Sequence, residues 1–294
     1  MKVLVTGACG LLGTELVRVL GRNPGRFDVL PFTRAEADLT DEKATGAAVA
    51  RAEPDFVVHA AAWTDVDACE ADPQRAFAQN AEATRHVALA CRALGLPMLY
   101  LSTDYVFDGH KGSPYTEHDP TAPLNVYGAS KLAGEREVEE LVPRAAIVRS
   151  AWLFGLTRTN FLETILQQGK QGETIRVIAE QVGSPTYAVD LAEKLAELIA
   201  RRPTGLYHVT NAGAVSRYEV AQWVAAHLSL PREQVLAVDG ASLRRRAARP
   251  AYSALANERL VSEGSAPLRA WPEAVAAYLA ARAETSRKGS ESLR

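Results

Sequence analysis

The 294-residue sequence predicts an α/β fold, a doubly wound parallel sheet with a second, smaller α/β domain. Three observations support this fold class. Short β-rich runs alternate with helical patterns through the first half, as in parallel sheets covered by helices. Three glycines separate the first strand from the first helix, and the alternation loosens after about Leu156. We therefore assign residues 1–155 to the first domain and 156–294 mainly to the second.

The elements of the first domain follow one another in a regular order. A strand at residues 2–6 leads into glycines and the helical stretch "LLGTELVRVLG". The runs "FDVLPF", "DFVVHAAA", "PMLYLS" and "AAIVRSAWLFG" are predicted as further strands. Residues 73–95 are predicted as one helix that stops at Gly95 and Pro97, and another helix follows Tyr127.

The second half contains fewer clear patterns. We predict a helix at residues 160–168, the strand-like run "TIRVIAE", and helices from Val189, around 218–228 and in "AWPEAVAAYLAARAE". The run "GLYHVTN" is predicted to return to the main sheet, which residues 175–211 would complete, so the two domains are expected to interleave. Residues 285–294 are polar and are predicted to form a flexible tail.

Composition excludes several classes of protein. A net charge of −2 provides no excess of positive charge for binding nucleic acid or an anionic membrane surface. No segment approaches the ~20 apolar residues that span a bilayer. The three cysteines form no CxxC pair, and the six histidines lack the spacing of zinc ligands. We predict a cytoplasmic protein that binds no nucleic acid, membrane or metal.

The first turn carries the strongest local signal. Gly7, Gly10 and Gly13 stand between a strand and a helix, the context of a Rossmann-type dinucleotide site. Small residues let the backbone approach a pyrophosphate, which the helix N-terminus favours. A tight turn without a ligand is the alternative. The second strand ends in "PFTRAE", where Arg34 replaces the acidic residue that would bind a ribose 2′-hydroxyl. A guanidinium suits a 2′-phosphate, so we predict NADPH, with NADH possible.

Two further segments are predicted to meet the cofactor. Asp38 and Leu39 follow the second strand and are expected at the adenine edge. The third strand ends in "HAAAWTDVD", and ligands bind at this end of parallel strands. Its small side chains Ala60, Ala61 and Ala62 would let a nicotinamide ribose pack against the backbone.

Tyr127 and Lys131 form the predicted catalytic pair. They are four residues apart, so on a helix they share a face. A neighbouring ammonium stabilises phenolate and should lower the tyrosine pKa towards neutrality, and the same lysine can hold ribose hydroxyls. Tyr105 has no such basic partner and is expected to pack or to shape the pocket. A solvated helix face is the alternative explanation of the spacing.

Several motifs together resemble the extended short-chain dehydrogenase/reductase superfamily: "TGACGLLG", "STDYVF" and "YGASK". Within it, "STDYVFDG", "APLNVYGASKLAGE", "HAAAWTDVDACE", "RSAWLFG", "QVGSPTY", "GLYHVTN" and "ARPAYSAL" are similar to the dTDP-4-dehydrorhamnose reductase family. In "ARPAYSAL" the family often has two arginines before the proline, whereas here Ala248 precedes Arg249. The resemblance covers nearly the whole chain. It implies reduction of the 4-keto group of a nucleotide sugar with NADPH or NADH, the last step of dTDP-rhamnose biosynthesis.

The resemblance also implies residue roles. Thr103 takes the third catalytic position and Tyr127 gives a proton to the keto oxygen, while Lys131 binds the ribose. Asp104 and Trp152 are expected to contact the sugar nucleotide, and Arg249 its diphosphate. The cofactor positions that the resemblance implies are Gly7, Gly10, Leu11, Leu12, Asp38, Leu39, Ala62, Trp63 and Thr64.

Alternatives remain open at this point. Related 4,6-dehydratases typically carry Asp-Glu after the threonine, and Tyr105 here replaces that glutamate, so elimination is disfavoured. Another reductase or epimerase of the superfamily, or a non-catalytic NADP-binding regulatory subunit, stays possible. The expected partner is a small nucleotide sugar. The chain is expected to be a monomer or a homodimer, and a metal-bridged dimer through carboxylates such as Glu15 is not decided.

Overall fold

The computed structural model describes residues 1–240 and 245–291, and its centre is a six-stranded sheet in which every strand pair is parallel. The strands are β1 Lys2–Thr6, β2 Asp28–Phe32, β3 Phe56–His59, β4 Met98–Thr103, β5 Ala145–Ser150 and β10 Gly205–His208. Their spatial order is β10-β5-β4-β3-β1-β2. The chain direction across the sheet reverses between β1 and β3, and such a switch point opens a crevice at the carboxyl ends of the strands.

Helices cover both faces of the sheet. Their bounds are α1 Leu11–Gly21, α2 Glu42–Ala52, α5 Ala83–Leu94, α6 Val126–Leu141 and α8 Ala188–Arg201. One apolar core lies between the sheet and the pair α1–α8, and a second lies under α2, α5 and α6. The strands β3 and β4 are buried along their whole length because both faces of a parallel sheet are covered. This arrangement confirms the predicted α/β fold with a doubly wound parallel sheet.

The connection from β3 to β4 is more broken than the sequence pattern indicates. It contains α3 Val66–Ala71, α4 Pro73–Phe77 and a π-helical turn, Ala78–Glu82, before α5 begins. Asp72 caps α4 by accepting a hydrogen bond from the Arg75 amide. The single helix predicted from Pro73 is therefore interrupted, and the interruption places a buried asparagine, Asn80, beside the loop after β3.

A second lobe follows β5 and has its own apolar core. Its main elements are α7 Phe161–Lys170, β7 Ile175–Ile178, α9 Arg217–His227, β12 Val235–Val238, α10 Glu258–Ser262 and α11 Trp271–Glu291. Strands β7 and β12 are parallel to each other. Two short ladders connect this lobe to the sheet region: β6 Leu153–Phe154 with β9 Thr186–Tyr187, and β8 Val182–Gly183 with β11 Val215–Ser216.

Helix α11 includes most of the segment for which we predicted a flexible tail. Residues 285–291 continue the helix, and residues 292–294 lie outside the described part of the chain. The helix is anchored before this segment, because Tyr278 and Arg282 both donate hydrogen bonds to Glu163 on α7. An anchored helix can propagate by one further hydrogen bond per residue. Among the described helices, none has the length and apolar character needed to cross a membrane.

Candidate active site

A cavity of about 1010 Å³ opens at the carboxyl ends of β1, β3, β4 and β5 and extends to the second lobe. Small-molecule sites usually occupy ~300–1,000 Å³, so this volume is large for one ligand. The sequence-predicted residues that line it are Gly7, Gly10, Leu11, Leu12, Gly13, Arg34, Asp38, Leu39, Ala60, Ala61, Ala62, Thr64, Thr103, Asp104, Tyr127, Lys131 and Trp152.

The glycine turn forms one end of the cavity and has the geometry of an anion cradle. Gly7 has φ +68°, and a Cβ there would lie 2.7 Å from the Ala61 amide nitrogen. A Cβ at Gly13 would collide with the Gly7 carbonyl oxygen. Gly10 is the N-cap of α1 and carries no side chain that could cap the helix amides. The turn therefore leaves space and amide donors for a pyrophosphate group.

The predicted adenosine side lies at the end of β2. Arg34 stands in a turn after β2 in which Glu36 accepts hydrogen bonds from the Thr33 amide, at 2.6 Å, and from the Thr33 hydroxyl. Asp38 accepts hydrogen bonds from the amide and the hydroxyl of Thr40, and these bonds lower its pKa. The charge of Arg34 lowers the Asp38 pKa further. A positive charge and a carboxylate thus lie together at this end of the cavity.

Tyr127 reaches the end of β4 because α6 approaches that strand end very closely. The helix starts at Asn125, whose side chain accepts from the Gly128 amide at 2.8 Å. A Cβ at Gly128 would collide with the Tyr105 carbonyl oxygen, so only glycine permits this approach. Thr103 hydrogen-bonds to Tyr127 and opposes the rise of its pKa. The ring of Tyr105 meets that of Tyr127 edge-on, with 6.0 Å between centroids.

The electrostatics of this pair differ from the sequence prediction. Burial raises the pKa of Tyr127 instead of the expected lowering by Lys131. Lys131 is only 2% exposed, and its Nζ lies 4.1 Å from the centroid of the Tyr100 ring. Burial lowers the Lys131 pKa to about 7, and the Glu135 carboxylate opposes that change. The prediction of an acidified phenol was wrong because spacing shows which residues share a face but not how deeply they are buried.

A buried polar network fixes the helix that carries Tyr127 and Lys131. Arg149 on β5 donates two hydrogen bonds to Glu135 on α6, at 2.9 and 2.6 Å, and Ser102 on β4 donates to the same carboxylate. Beside it, His59 hydrogen-bonds to Thr6 and Thr84. Burial and the charge of Lys131 lower the His59 pKa to about 3, so this imidazole is neutral at physiological pH.

Asp104 lies directly after β4 and is buried. It accepts hydrogen bonds from the Ser253 hydroxyl at 2.6 Å and from the Thr103 hydroxyl at 3.1 Å. Burial raises its pKa to about 6, against the effect of these two donors and of the Arg217 charge. Asp104 is therefore an ionised acceptor at neutral pH, and its charge contributes to the raised pKa of Tyr127.

Trp152 follows β5 with φ +44°, a left-handed conformation that is unusual for a large residue. Its ring lies against Gly183, where a Cβ would collide with the indole. The guanidinium carbon of Arg217 lies 4.0 Å from the ring centroid on Trp152 and 5.0 Å from that of Phe161. Backbone strain of this kind is typical of functional sites.

Two predicted site residues do not line the cavity. Trp63 packs against Arg75, whose guanidinium carbon is 4.4 Å from the indole centroid, and its backbone is bound by Asn80. Arg249 donates to both carboxylate oxygens of Asp67, at 3.0 and 2.8 Å. This bond lowers the Asp67 pKa to about 2. For both residues the expected role stays a prediction that the geometry does not favour.

Sequence reasoning missed Asn80 and Arg217. Asn80 bonds the backbone of Trp63 on one side and the Ser130 hydroxyl on the other, and so connects the loop after β3 to α6. A buried asparagine inside a helical pattern was the available signal, since such a residue needs partners. For Arg217 there was no local signal, because its aromatic partners are far away in sequence.

Among the described residues, no group of three or more His, Cys, Asp or Glu side chains is placed to hold a metal ion. Glu15, the carboxylate named above for a metal-bridged dimer, is buried and is paired with Arg18 at 2.6 Å.

Comparison with known proteins gives consistent matches over nearly the whole chain. A family model described as the RmlD substrate binding domain matches residues 1–284. A dTDP-4-dehydrorhamnose reductase of Streptomyces griseus is 42% identical over 278 residues, which is 92% of this chain and 91% of that protein. A probable dTDP-4,6-dihydroxy-2-methyloxan-3-one 4-ketoreductase of Streptomyces antibioticus is 41% identical over 99% of this chain and 100% of its own.

A solved structure agrees with these sequence matches. The dTDP-4-dehydrorhamnose reductase of Bacillus anthracis, in complex with NADP, superposes with a TM-score of 0.91 and 37% identity. The match covers 95% of this chain and 98% of that one.

Proposed function

The chain belongs to the dTDP-4-dehydrorhamnose reductase family, and from that premise we propose that it reduces dTDP-4-dehydro-L-rhamnose to dTDP-L-rhamnose with NADPH. This reaction is the last step of dTDP-rhamnose biosynthesis. The observation that carries the proposal is the convergence of Thr103, Tyr127 and Lys131 on one cavity that begins at the glycine turn. A non-catalytic binding subunit would not need this triad.

The cavity fits the cofactor from one end to the other. The turn at Gly7–Gly13 suits the pyrophosphate, and Arg34 suits a 2′-phosphate on the adenosine ribose. Lys131 lines the cavity and, while charged, would bind the nicotinamide ribose. When bound, NADPH supplies the hydride that the carbonyl carbon accepts.

Tyr127 acts as the general acid. Its raised pKa keeps the phenol protonated through the neutral range, so it can donate its proton to the 4-keto oxygen as that oxygen becomes negative. The Thr103 hydroxyl, which donates to Asp104 before the reaction, then turns its proton to the phenolate that remains, and a hydrogen bond from Thr103 lowers the Tyr127 pKa. The ammonium of Lys131 is present below about pH 7 and is lost above it.

The remaining groups orient the sugar and limit the chemistry. Asp104 lines the cavity and is ionised above about pH 6, so it would accept a hydrogen bond from a sugar hydroxyl next to the keto group. Elimination of water requires a base together with an acid for the leaving hydroxyl. The carboxylates that line the described cavity are Asp38, at the adenosine end, and Asp104. A single carboxylate beside Tyr127 therefore favours simple reduction.

The direct test is NADPH oxidation, followed by absorbance, with dTDP-4-dehydro-L-rhamnose as substrate and identification of dTDP-L-rhamnose as product. Tyr127→Phe removes the acid and should lower kcat by about 10²–10⁴-fold. Its affinity for NADPH should stay within about twofold of the wild type, because the glycine turn and Arg34 are unchanged. Wild-type turnover in Tyr127→Phe would remove this residue from the mechanism.

A second candidate comes from the Streptomyces antibioticus relative, a probable 4-ketoreductase of another dTDP-linked sugar. Measurement of kcat/KM on a panel of dTDP-4-keto sugars distinguishes the two candidate substrates. A kcat/KM at least tenfold higher on the other ketosugar would reassign the substrate and keep the chemistry. Location in the cytoplasm and the choice between monomer and homodimer stay predictions from the sequence.

A further inference from the structure

Arg217 lines the substrate side of the cavity, and the reduction described above gives it no task. It is the first residue of α9, in the second lobe. Trp152 and Phe161 hold its guanidinium group at 4.0 and 5.0 Å from their ring centroids. The Nε atom is buried and has no hydrogen-bond partner in the described structure. A buried N–H without a partner is costly, so a ligand acceptor at this position would be stabilising.

The charge of Arg217 opposes the rise of the Asp104 pKa but has no direct ion-pair partner in the described part of the chain. Neighbouring Arg249, by contrast, is paired with Asp67 at 2.8 Å. Arg245 lies near both arginines, and burial together with their charges lowers its pKa. Arg217, Arg245 and Arg249 carry three positive charges against the two negative charges of Asp67 and Asp104, so an excess of positive charge remains that favours an anion.

The position of Arg217 matches one end of a nucleotide sugar. Tyr105 neighbours both functional groups: its ring meets that of Tyr127 edge-on, with 6.0 Å between centroids, and burial raises its pKa, a rise that the charge of Arg217 and a hydrogen bond with that residue oppose. Tyr127 and Arg217 thus lie on the same side of the cavity. In the substrate, the keto group at C4 and the diphosphate at C1 stand at opposite ends of the sugar ring.

We propose that the Arg217 guanidinium, held by Trp152 and Phe161, binds the diphosphate of the substrate, and that Arg249 instead holds Asp67. A guanidinium presents parallel N–H donors that match phosphate oxygens, and stacking on aromatic rings preorganises that fork. This inference rests on the proposed function for the identity of the substrate, but the binding of a nucleoside diphosphate can be measured without turnover.

The test is calorimetric titration of dTDP into the NADPH-loaded protein, with Arg217→Gln and Arg217→Lys as variants. Loss of a charge-assisted hydrogen bond should raise the dTDP Kd about 10- to 100-fold in Arg217→Gln. Arg217→Lys keeps the charge but not the fork, so an intermediate Kd is expected. In the assay, KM for the ketosugar should rise by the same factor while kcat stays within about threefold, because Tyr127 and Thr103 are untouched.

Arg259→Gln is the matched control, since Arg259 also stacks on an aromatic ring, 4.3 Å from the Tyr207 centroid, but does not line the cavity. It should leave the dTDP Kd unchanged. Wild-type dTDP affinity in Arg217→Gln, or a loss seen only in Arg249→Gln, overturns the inference and leaves the reductase assignment intact. No turnover of any dTDP-4-keto sugar by the wild type, with dTDP binding that still depends on Arg217, overturns the proposed function alone.

Discussion

Asp104 is 2% exposed and accepts a hydrogen bond from Ser253, and the proposed function gives its carboxylate the role of a substrate acceptor. Burial raises its pKa from 3.8 to about 6. An acid whose pKa is higher in the folded than in the unfolded state stabilises the fold below its unfolded pKa, and this stability is lost as the pH rises through the folded pKa. For Asp104 the window runs from about pH 4 to about pH 6. At neutral pH its charge therefore opposes folding.

The variant Asp104→Asn tests this conflict between stability and function. Each pKa unit corresponds to about 1.4 kcal/mol, so removing the charge should raise the free energy of unfolding by roughly 3 kcal/mol at pH 8. The gain should shrink to near zero at pH 4. The asparagine oxygen can still accept from Ser253, while kcat/KM should fall. Urea unfolding of variant and wild type at both pH values measures this, and an equal difference at the two values would contradict the burial argument.

At the level of single residues, the sequence identified several side chains that line the cavity, but it did not identify the residues that they contact. Thr103, Tyr127 and Lys131 are brought together because strand ends and helix spacing follow from short patterns. The pairing of Arg249 with Asp67 joins residues 182 positions apart, which no local pattern indicates. The direction of the Tyr127 pKa shift depends on burial by several elements, so spacing alone could not predict it.

The connection from β1 to α1 is the element on which cofactor binding most depends. In Gly13→Ala, the new methyl group would collide with the Gly7 carbonyl oxygen, so the turn must open. We expect the NADPH Kd to rise at least tenfold and the melting temperature to fall. Fluorescence titration with NADPH and a thermal melt measure both quantities.

The control lies on the same helix. Gly21 ends α1, and no atom lies within 4 Å of a Cβ built there. Gly21→Ala should leave NADPH affinity unchanged and add up to roughly 1 kcal/mol of stability, because alanine loses less backbone freedom on folding. If NADPH affinity were unchanged in both variants, close packing at Gly13 would not determine the shape of the turn.

At the level of elements, periodicity predicted the strands and the long helices but not their interruptions. The π-helical turn at Ala78–Glu82 depends on the hydrogen bonds of Asn80 to Trp63 and Ser130, which are tertiary contacts. The two-residue strands β6, β8, β9 and β11 are too short to produce a pattern of alternation. Helix α11 runs further than composition indicated because the second lobe anchors it through Glu163.

On the scale of the whole molecule, the cavity needs both lobes. The first domain supplies the glycine turn after β1 and Tyr127 on α6, whereas Phe161 and Arg217 come from the second lobe. Strand β10 pairs with β5 after the chain has formed α7 and α8, so the second lobe is tied to the sheet at several points. A ligand that contacts both lobes should therefore stabilise the protein as a unit.

Stabilisation of the folded protein by a bound ligand allows the affinities of NADPH and NADH to be compared. A ligand that binds only the folded state raises its stability by RT ln(1 + [L]/Kd), so the melting temperature reports affinity. Arg34 lines the cavity after β2, where it can pair with a 2′-phosphate. NADPH should raise the melting temperature more than NADH at equal concentration.

Arg34→Ala should weaken NADPH binding by about tenfold, the lower end expected for an exposed charge-assisted contact, and leave NADH binding nearly unchanged. Arg22→Ala is the control, because Arg22 is exposed at the end of α1 and does not line the cavity. Thermal melts of the three proteins with each cofactor measure these differences. If NADPH and NADH stabilised the wild type equally, or if Arg34→Ala kept the preference, the selectivity would have to come from another part of the adenosine end, such as Asp38 and its neighbours.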